Sequence, residues 1–276
     1  MKKKLVITLF STVLVLILII SGVQAITFGQ PDNGEHPYVG TLLFVQNGVG
    51  YYSCTGTLLS PTVMLTAGHC VEEAGNVNDV TYVRFAENAM SDYGSYGSTQ
   101  EWLDNEWVLA ASVVPHPQYN DFATFPLTYD VGIVILSEPV NMNTYGVLPE
   151  AGFLEQFTHG QEHNASFTAV GYGRQGVINP FAGNDYARYK GTVTLIELNS
   201  TNSGGASAKF SNNPGGGNGS GGTCFGDSGG PIFLGNTNLI VAVTSFGITP
   251  CIGNGYEFRM DTDYARGFLS GYANVP

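Results

Sequence analysis

The chain has 276 residues, of which 10 are basic and 22 acidic, and a formal net charge of −12 with histidine neutral. A charge this negative argues against nucleic acids and anionic membranes as partners. The first 25 residues combine a basic start, Met1–Lys4, with an apolar run, Leu5–Ile20, and small residues at Val23 and Ala25. This pattern is typical of a secretory signal peptide; a membrane anchor, the alternative, needs about 20 apolar residues. We therefore expect a secreted, extracellular protein that has no membrane partner once residues 1–25 are removed.

Cleavage after Ala25 leaves 251 residues, a length that suits one large all-β domain. The remaining chain holds only seven basic residues against 22 acidic ones. Two interpretations of this scarcity stay open. It is either an adaptation of an exported surface or a way to offer few sites to proteases that cut after basic residues.

Short segments rich in Val, Ile, Thr and aromatic residues recur along the chain and predict a mostly β protein, either a sandwich or barrels. A stretch with two prolines, Ser137–Ala151, divides these segments into two sets, and Thr262–Tyr272 predicts a short terminal helix. The predicted strands are Tyr38–Val45, Tyr51–Leu59, Val63–Thr66, Val80–Phe85, Trp107–Val114, Val131–Leu136, Ser166–Gly171, Tyr189–Leu198, Pro231–Leu234, Leu239–Ser245 and Tyr256–Met260.

Four cysteines in an exported chain indicate two disulfides, and three pairings are open. The pairings of Cys54 with Cys70 and of Cys224 with Cys251 are the two local ones. Neither pair has the spacing and accompanying histidines of a zinc site, so we expect no metal.

The stretch Gly222–Pro231 places Ser228 among four glycines, which let another molecule approach the backbone closely. A hydroxyl in such a loop suits a nucleophile, but it needs a base and a group that orients the base. The Gly- and Ser-rich segment Ser203–Gly222 leads into this stretch and is interpreted as a surface loop bordering the site.

His69 is the candidate base, because it follows the apolar strand Val63–Thr66 and stands beside Cys70. Asp130 heads another apolar strand and is the candidate orienting group, since a buried carboxylate needs a partner. The alternatives are a core-edge histidine bonded to backbone and an aspartate that caps a turn. The other histidines are expected at the surface: His36, His116, His159 and His163.

The motifs occur in the order His69, Asp130, Ser228, whereas subtilisins run Asp, His, Ser and α/β-hydrolases run Ser, acid, His. With Thr66-Ala67-Gly68-His69-Cys70, Asp130-Val131-Gly132-Ile133 and Gly226-Asp227-Ser228-Gly229-Gly230-Pro231, the chain resembles the trypsin/chymotrypsin family of serine proteases. The resemblance implies an all-β fold of two six-stranded antiparallel β-barrels, with a short C-terminal helix and the site between the barrels. It places one peptidase domain over residues 26–276, with the first barrel at about 26–140 and the second at about 150–276.

The resemblance also implies a role for each site residue. Ser228 would be the nucleophile, His69 the general base and Asp130 its orienting acid, while the N–H groups of Gly226 and Ser228 would bind the oxyanion. The disulfides would be Cys54–Cys70 and Cys224–Cys251. Substrates would be proteins or peptides, no cofactor would be required, and we expect a monomer. A catalytically silent, protease-like binding module is the alternative.

The resemblance assigns substrate binding to five residues: Gly222, Thr223, Ser245, Phe246 and Gly247. The family's basic-selective members carry Asp at the position of Gly222, so we expect a preference for apolar residues before the cut. Gly247 and Gly255 would keep the pocket open, with the reservation that Glu257 could intrude.

Two further expectations come from the resemblance. The amine of Ile26, freed by signal cleavage, would pair with Asp227 and activate the enzyme without a zymogen stage. The loop from His116 to Asp130, which contains Phe122, Phe125 and Leu127, would wall the upstream subsites or pack locally against the barrel.

Overall fold

The computed structural model describes residues 26–46, 49–72, 79–157, 165–175, 183, 185–199, 201–213, 221–248 and 251–276. The proposed signal peptide, His159 and His163 lie outside these ranges. Among the described helices, none combines the length and apolar character needed to cross a membrane.

Six antiparallel strands of the first half close into a barrel in the order β2-β3-β4-β7-β6-β5. β2 pairs with β3 on one side and β5 on the other, so every strand has two neighbours. The side chains of Leu42, Leu65 and Ile133 fill the interior and are fully buried. The strands are β2 (Val39–Gln46), β3 (Val49–Leu58), β4 (Val63–Thr66), β5 (Asp79–Arg84), β6 (Val108–Pro115) and β7 (Gly132–Leu136).

The second half holds an antiparallel sheet of eight strands in the order β1-β9-β8-β12-β13-β14-β11-β10. Its buried face includes Phe167, Phe210 and Ile232. The strands are β1 (Gln30–Pro31), β8 (Phe167–Gly171), β9 (Tyr189–Val193), β10 (Leu195–Glu197), β11 (Ser207–Ser211), β12 (Pro231–Leu234), β13 (Ile240–Gly247) and β14 (Asn254–Arg259).

This architecture confirms the predicted fold class, with a difference in the second half. There the described strands form an eight-stranded open sheet, not a closed six-stranded barrel. β1 joins the sheet by pairing with β9, so residues 30–31, which precede the first barrel in sequence, belong to the sheet of the second half. The predicted strand Tyr189–Leu198 divides into β9 and β10, whose neighbours differ.

Two elements differ from the sequence-based expectations. Ser207–Ser211, expected within a surface loop, is a strand that pairs with β10 and β14, and its Ala208 and Phe210 side chains are fully buried. Thr99–Glu106, for which no helix was predicted, forms a helix that begins after Ser98. The expected terminal helix is present and is capped by Thr262, which accepts a hydrogen bond from the Ala265 amide. The helices are α1 (Gly68–Glu72), α2 (Thr99–Glu106) and α3 (Asp263–Leu269).

The expectation that His36 and His116 lie at the surface is wrong, because both side chains are buried. His36 donates a 2.5 Å hydrogen bond to Asp32, which also pairs with Arg188 at 2.9 Å. Burial by itself raises the pKa of Asp32, but the bonds and charge of His36 and the charge of Arg188 lower it to about 2. This network ties the N-terminal segment to β9.

Candidate active site

His69 lies in α1, the short helix that follows β4. Two glycines let α1 approach the rest of the first barrel closely. A Cβ on Gly68 would lie 3.0 Å from the Tyr119 ring, and a Cβ on Gly132 would lie 2.4 Å from the Val71 side chain. The next residue, Cys70, forms the expected disulfide with Cys54 of β3. Backbone packing and a covalent bond therefore fix the position of the imidazole.

Asp130 precedes β7, is fully buried and contacts His69 at two points. Its Oδ1 accepts a 2.8 Å hydrogen bond from the His69 backbone N–H, and its Oδ2 lies 2.9 Å from His69 Nδ1. Ser245 Oγ donates a third bond to Oδ2 at 2.5 Å. Burial by itself raises the pKa of Asp130, but the charge of His69 and these hydrogen bonds hold that pKa below its usual range. The carboxylate is therefore held ionised against the ring.

Ser228 lies in the loop between Cys224 and β12, in which Gly226 and Gly229 have positive φ angles of 98° and 75°. The carbonyl of Gly226 accepts a 2.8 Å bond from Thr55 Oγ1, and the carbonyl of Ser228 accepts one from Thr55 N at the same distance. Within the described residues, the N–H groups of Gly226 and Ser228 donate to no hydrogen bond. They are thus available to an oxygen atom of a ligand.

Thr55 was not anticipated from the sequence, although it adjoins Cys54. It is fully buried in β3 and connects the first barrel to the Ser228 loop through its backbone and its hydroxyl. The same Oγ1 accepts a 3.1 Å bond from the Tyr172 amide. The sequence feature that could have pointed to Thr55 is its place in a predicted strand, directly after Cys54.

A cleft of about 360 Å³ brings the separate motifs together. His69 and Ser228 line it, together with four of the predicted substrate-binding residues: Thr223, Ser245, Phe246 and Gly247. Phe122 of the 116–130 loop also lines the cleft, and its ring centroid is 6.2 Å from that of His69 and 5.8 Å from that of Phe246. Phe125 packs on Phe246 at 5.7 Å. The loop therefore reaches the cleft wall.

The base of the cleft differs from the sequence-based expectation. Space beside Gly222 is filled, because a Cβ there would lie 2.6 Å from Asn212 Cα. The space beside Gly255 is occupied by the Glu257 side chain, whose Oε1 would lie 2.5 Å from a Cβ added at Gly255. Gly247 has the expected open surroundings, with no atom nearer than 3.8 Å to an added Cβ. The reservation about Glu257 therefore concerns a carboxylate that lies beside Gly255 and behind the residues that line the cleft.

Two acidic residues beneath the cleft are buried without a positively charged partner among the described residues. Asp227 accepts hydrogen bonds from the amides of Gly173 and Cys224, and burial raises its pKa to about 7. Glu257 accepts from Thr223 Oγ1 at 3.3 Å and from the Ser245 amide at 3.2 Å. Burial raises the pKa of Glu257 to about 8, and the charge of Asp227 contributes to the rise.

Ile26 is fully buried and lies near Gly191 and Gly221. The neighbouring Thr27 exchanges backbone hydrogen bonds with Gly222, so the N-terminal segment borders the base of the cleft. The second disulfide joins Cys224 to Cys251 across the same region. One group of metal-ligand types occurs among the described residues, Cys54, His69 and Cys70, but its two sulfur atoms are joined in a disulfide.

A family model described as Trypsin matches residues 26–266. Chymotrypsin-like elastase family member 1 of Macaca fascicularis is 26% identical over 211 residues, which make up 75% of this chain and 72% of the relative. CLIP domain-containing serine protease B15 of Anopheles gambiae is 30% identical over 239 residues, covering 82% of this chain and 63% of the relative. A solved structure of HL collagenase has a TM-score of 0.63 at 20% identity and covers 92% of this chain and 98% of its own. At that identity the structural match shows the fold.

Proposed function

The chain belongs to the trypsin family of serine proteases, and from this premise we propose that it is an active serine endopeptidase that works through a His69-Asp130-Ser228 triad. The observation that carries the proposal is the buried, ionised Asp130 against Nδ1 of a histidine that lines the same cleft as Ser228. A carboxylate in this position fixes the tautomer in which Nδ1 carries the proton, so Nε2 is the nitrogen that acts as the base.

The proposed reaction begins when Ser228 Oγ attacks the carbonyl carbon of the peptide bond and His69 Nε2 takes its proton. Asp130 stabilises the resulting imidazolium. The C–N bond then breaks, His69 returns the proton to the leaving amine, and an acyl-enzyme remains. In the second stage of the reaction, water attacks the acyl-enzyme and releases the acid product from Ser228. His69 again acts first as base and then as acid.

The N–H groups of Gly226 and Ser228 are the proposed oxyanion donors. Support comes from their lack of hydrogen-bond acceptors among the described residues and from the anchoring of both carbonyls by Thr55. In a comparable site, the loss of one such donor lowers the rate by about 10²–10³-fold.

The proposed enzyme is secreted after removal of residues 1–25 and acts as a monomer on proteins or peptides. Two disulfides suit an oxidising compartment. We also propose that the amine of Ile26, once freed, pairs with Asp227. The support is that Asp227 is a fully buried carboxylate with a raised pKa, which an ammonium group would compensate. Sequencing of the secreted protein tests this, and a mature start other than Ile26 contradicts it.

Cleavage of an unfolded protein tests the proposed activity. We expect wild-type protein to cut reduced casein at internal bonds, Ser228→Ala to lose this activity, and Ser91→Ala, a change at an exposed serine, to retain it. A folded wild-type protein that leaves casein intact would support the silent binding module instead.

The residue before the cut is a separate question. The sequence predicts an apolar residue there, on the premise that the pocket base has no carboxylate. That preference stays a prediction, against which stands Glu257, a buried carboxylate bonded to the cleft-lining Thr223 and Ser245.

A further inference from the structure

Glu257 lies in β14, the strand that pairs with the cleft-lining residues of β13. It follows Gly255 by two residues in β14, and residues two apart on a strand share a face. Gly255 has no side chain, and the Glu257 carboxylate occupies the adjoining space, with Oε1 2.5 Å from where a Cβ would be. The carboxylate thus fills space that the glycine leaves beside the pocket.

Two residues that line the cleft bind this carboxylate directly. Thr223 Oγ1 donates to Oε1, and the Ser245 amide donates to Oε2. One of these partners, Ser245, also bonds Asp130. Glu257 therefore lies behind the cleft wall. Thr223 and Ser245 stand between its carboxylate and the cleft, and Ser245 also links it to Asp130 of the triad.

Glu257 differs from most other buried acids of the protein in having no positively charged partner. Five acidic residues are buried in the described part of the chain: Asp32, Asp130, Asp227, Glu257 and Asp261. Three of them pair with Arg188, His69 or Arg259, and the proposed partner of Asp227 is the Ile26 amine. A buried carboxylate without a counter-charge is costly, and Glu257 alone has neither an observed nor a proposed counter-charge within the protein.

We propose that Glu257 supplies the negative charge that selects a lysine or arginine side chain before the cut. This inference rests on the proposed peptidase function. The ammonium or guanidinium group of the substrate would enter between Thr223 and Gly247, favour the ionised form of Glu257 and provide the missing positive partner. In this chain a side chain at position 222 would collide with Asn212, which occupies the adjacent space. The acid reaches the pocket from β14 instead.

The distribution of charge supports a basic substrate. Asp121 lines the cleft, so an acid borders the approach to Ser228. All seven basic residues after position 25 are described by the structure, and Arg174 is the exposed one; Arg84, Arg188 and Arg259 are buried, while Lys190, Lys209 and Arg266 are half-buried. An enzyme that cuts after basic residues would spare itself by this arrangement. This protection from self-cleavage favours the interpretation that the scarcity of lysine and arginine leaves few sites for proteases that cut after basic residues.

Peptide substrates that differ only in the residue before the cut test the inference. We expect kcat/KM for Lys or Arg to exceed that for Leu or Phe by at least about tenfold. Glu257→Gln should lower kcat/KM for the basic substrates by about 10²-fold, since a buried charge pair loses one partner, and should change the Leu substrate little. Glu150→Gln, which removes an exposed acid, is the control with the same loss of charge.

A binding measurement separates this inference from the proposed activity. In Ser228→Ala, benzamidine should raise the melting temperature more than neutral benzamide does, and adding Glu257→Gln should abolish the difference. Wild-type preference for Leu or Phe, an equal loss on all substrates in Glu257→Gln, or equal binding of the two probes would overturn the role of Glu257. An inactive wild type that still prefers benzamidine would refute the peptidase and leave the cation pocket standing. If Glu257→Gln fails to fold, Glu257→Asp replaces it and should weaken benzamidine binding at least about tenfold.

Discussion

Asp130 holds His69 by its backbone and its ring at once. The 2.8 Å bond to the His69 amide fixes the position of the helix, and the 2.9 Å bond to Nδ1 fixes the orientation of the ring. Ser245 occupies the remaining side of the carboxylate. A replacement that keeps the shape and removes the charge would therefore alter the chemistry more than the fold.

We predict that Asp130→Asn lowers kcat by about 10³–10⁴-fold while the protein stays folded, because an amide can force the wrong imidazole tautomer. Measurement of kcat and of the circular dichroism spectrum on the same sample checks this. Asp263→Asn, at an exposed acid of α3, serves as the control. A loss below tenfold would show that His69 does not depend on Asp130.

At the scale of elements, β3 connects the two halves of the site. Thr55 bonds the Gly226 carbonyl and the Tyr172 amide through one hydroxyl. Thr57, two residues later in the same strand, is also buried, but its hydroxyl has no hydrogen-bond partner among the residues that the structure describes. The two threonines form a natural comparison between a bonded and an unbonded hydroxyl.

We predict that Thr55→Val lowers the free energy of unfolding by about 2 kcal/mol, because two buried polar groups lose their partner. The oxyanion loop would also loosen, and kcat would fall. Thr57→Val should change the free energy of unfolding by less than about 0.5 kcal/mol or increase it. Urea denaturation of both variants decides the matter; equal effects would contradict the assigned role of Thr55.

The strands that the sequence predicts well have a strong β composition, such as β4, β7 and β12. Ser207–Ser211 could not be identified in this way, because it lies in a Gly- and Ser-rich segment and its pairing with β10 and β14 is not local. The triad motifs were recognisable because their order and neighbours are specific. Thr55 and Glu257 depend on contacts across 171 and 34 residues and were out of reach, apart from the reservation about Glu257. Asn212 contacts Thr223 across 11 residues, within a Gly- and Ser-rich segment that gives no sign of this pairing.

At the scale of the whole molecule, the N-terminal segment crosses to the second half and ends near the base of the cleft. β1 pairs with β9, and the Asp32-His36-Arg188 network holds the following turn. Asp227 lies beneath the Ser228 loop, burial raises its pKa to about 7, and its charge in turn raises the pKa of the neighbouring Glu257. The state of the N-terminus should therefore influence the stability of the whole protein.

We predict that a chain extended before Ile26 loses stability as the pH rises from about 4 to 7. In that chain folded Asp227 binds its proton more tightly than unfolded Asp does, so deprotonation opposes folding by up to about 4 kcal/mol. A chain that begins at Ile26 should lose less, because its ammonium group favours the ionised form of Asp227. The contribution of Glu257 is shared by both chains.

Thermal unfolding of the two chains between pH 4 and 8 measures this difference. Asp227→Asn should make their pH profiles alike. Identical profiles for the two chains with Asp227 present would contradict the proposed pairing.

The most direct test of the central claim is labelling by a fluorophosphonate, followed by mass spectrometry of the peptide that contains Ser228. The proposed triad predicts one label per chain on Ser228, none in Ser228→Ala and much slower labelling in His69→Ala. A folded wild-type protein that remains unlabelled, or a label on another residue, would contradict it.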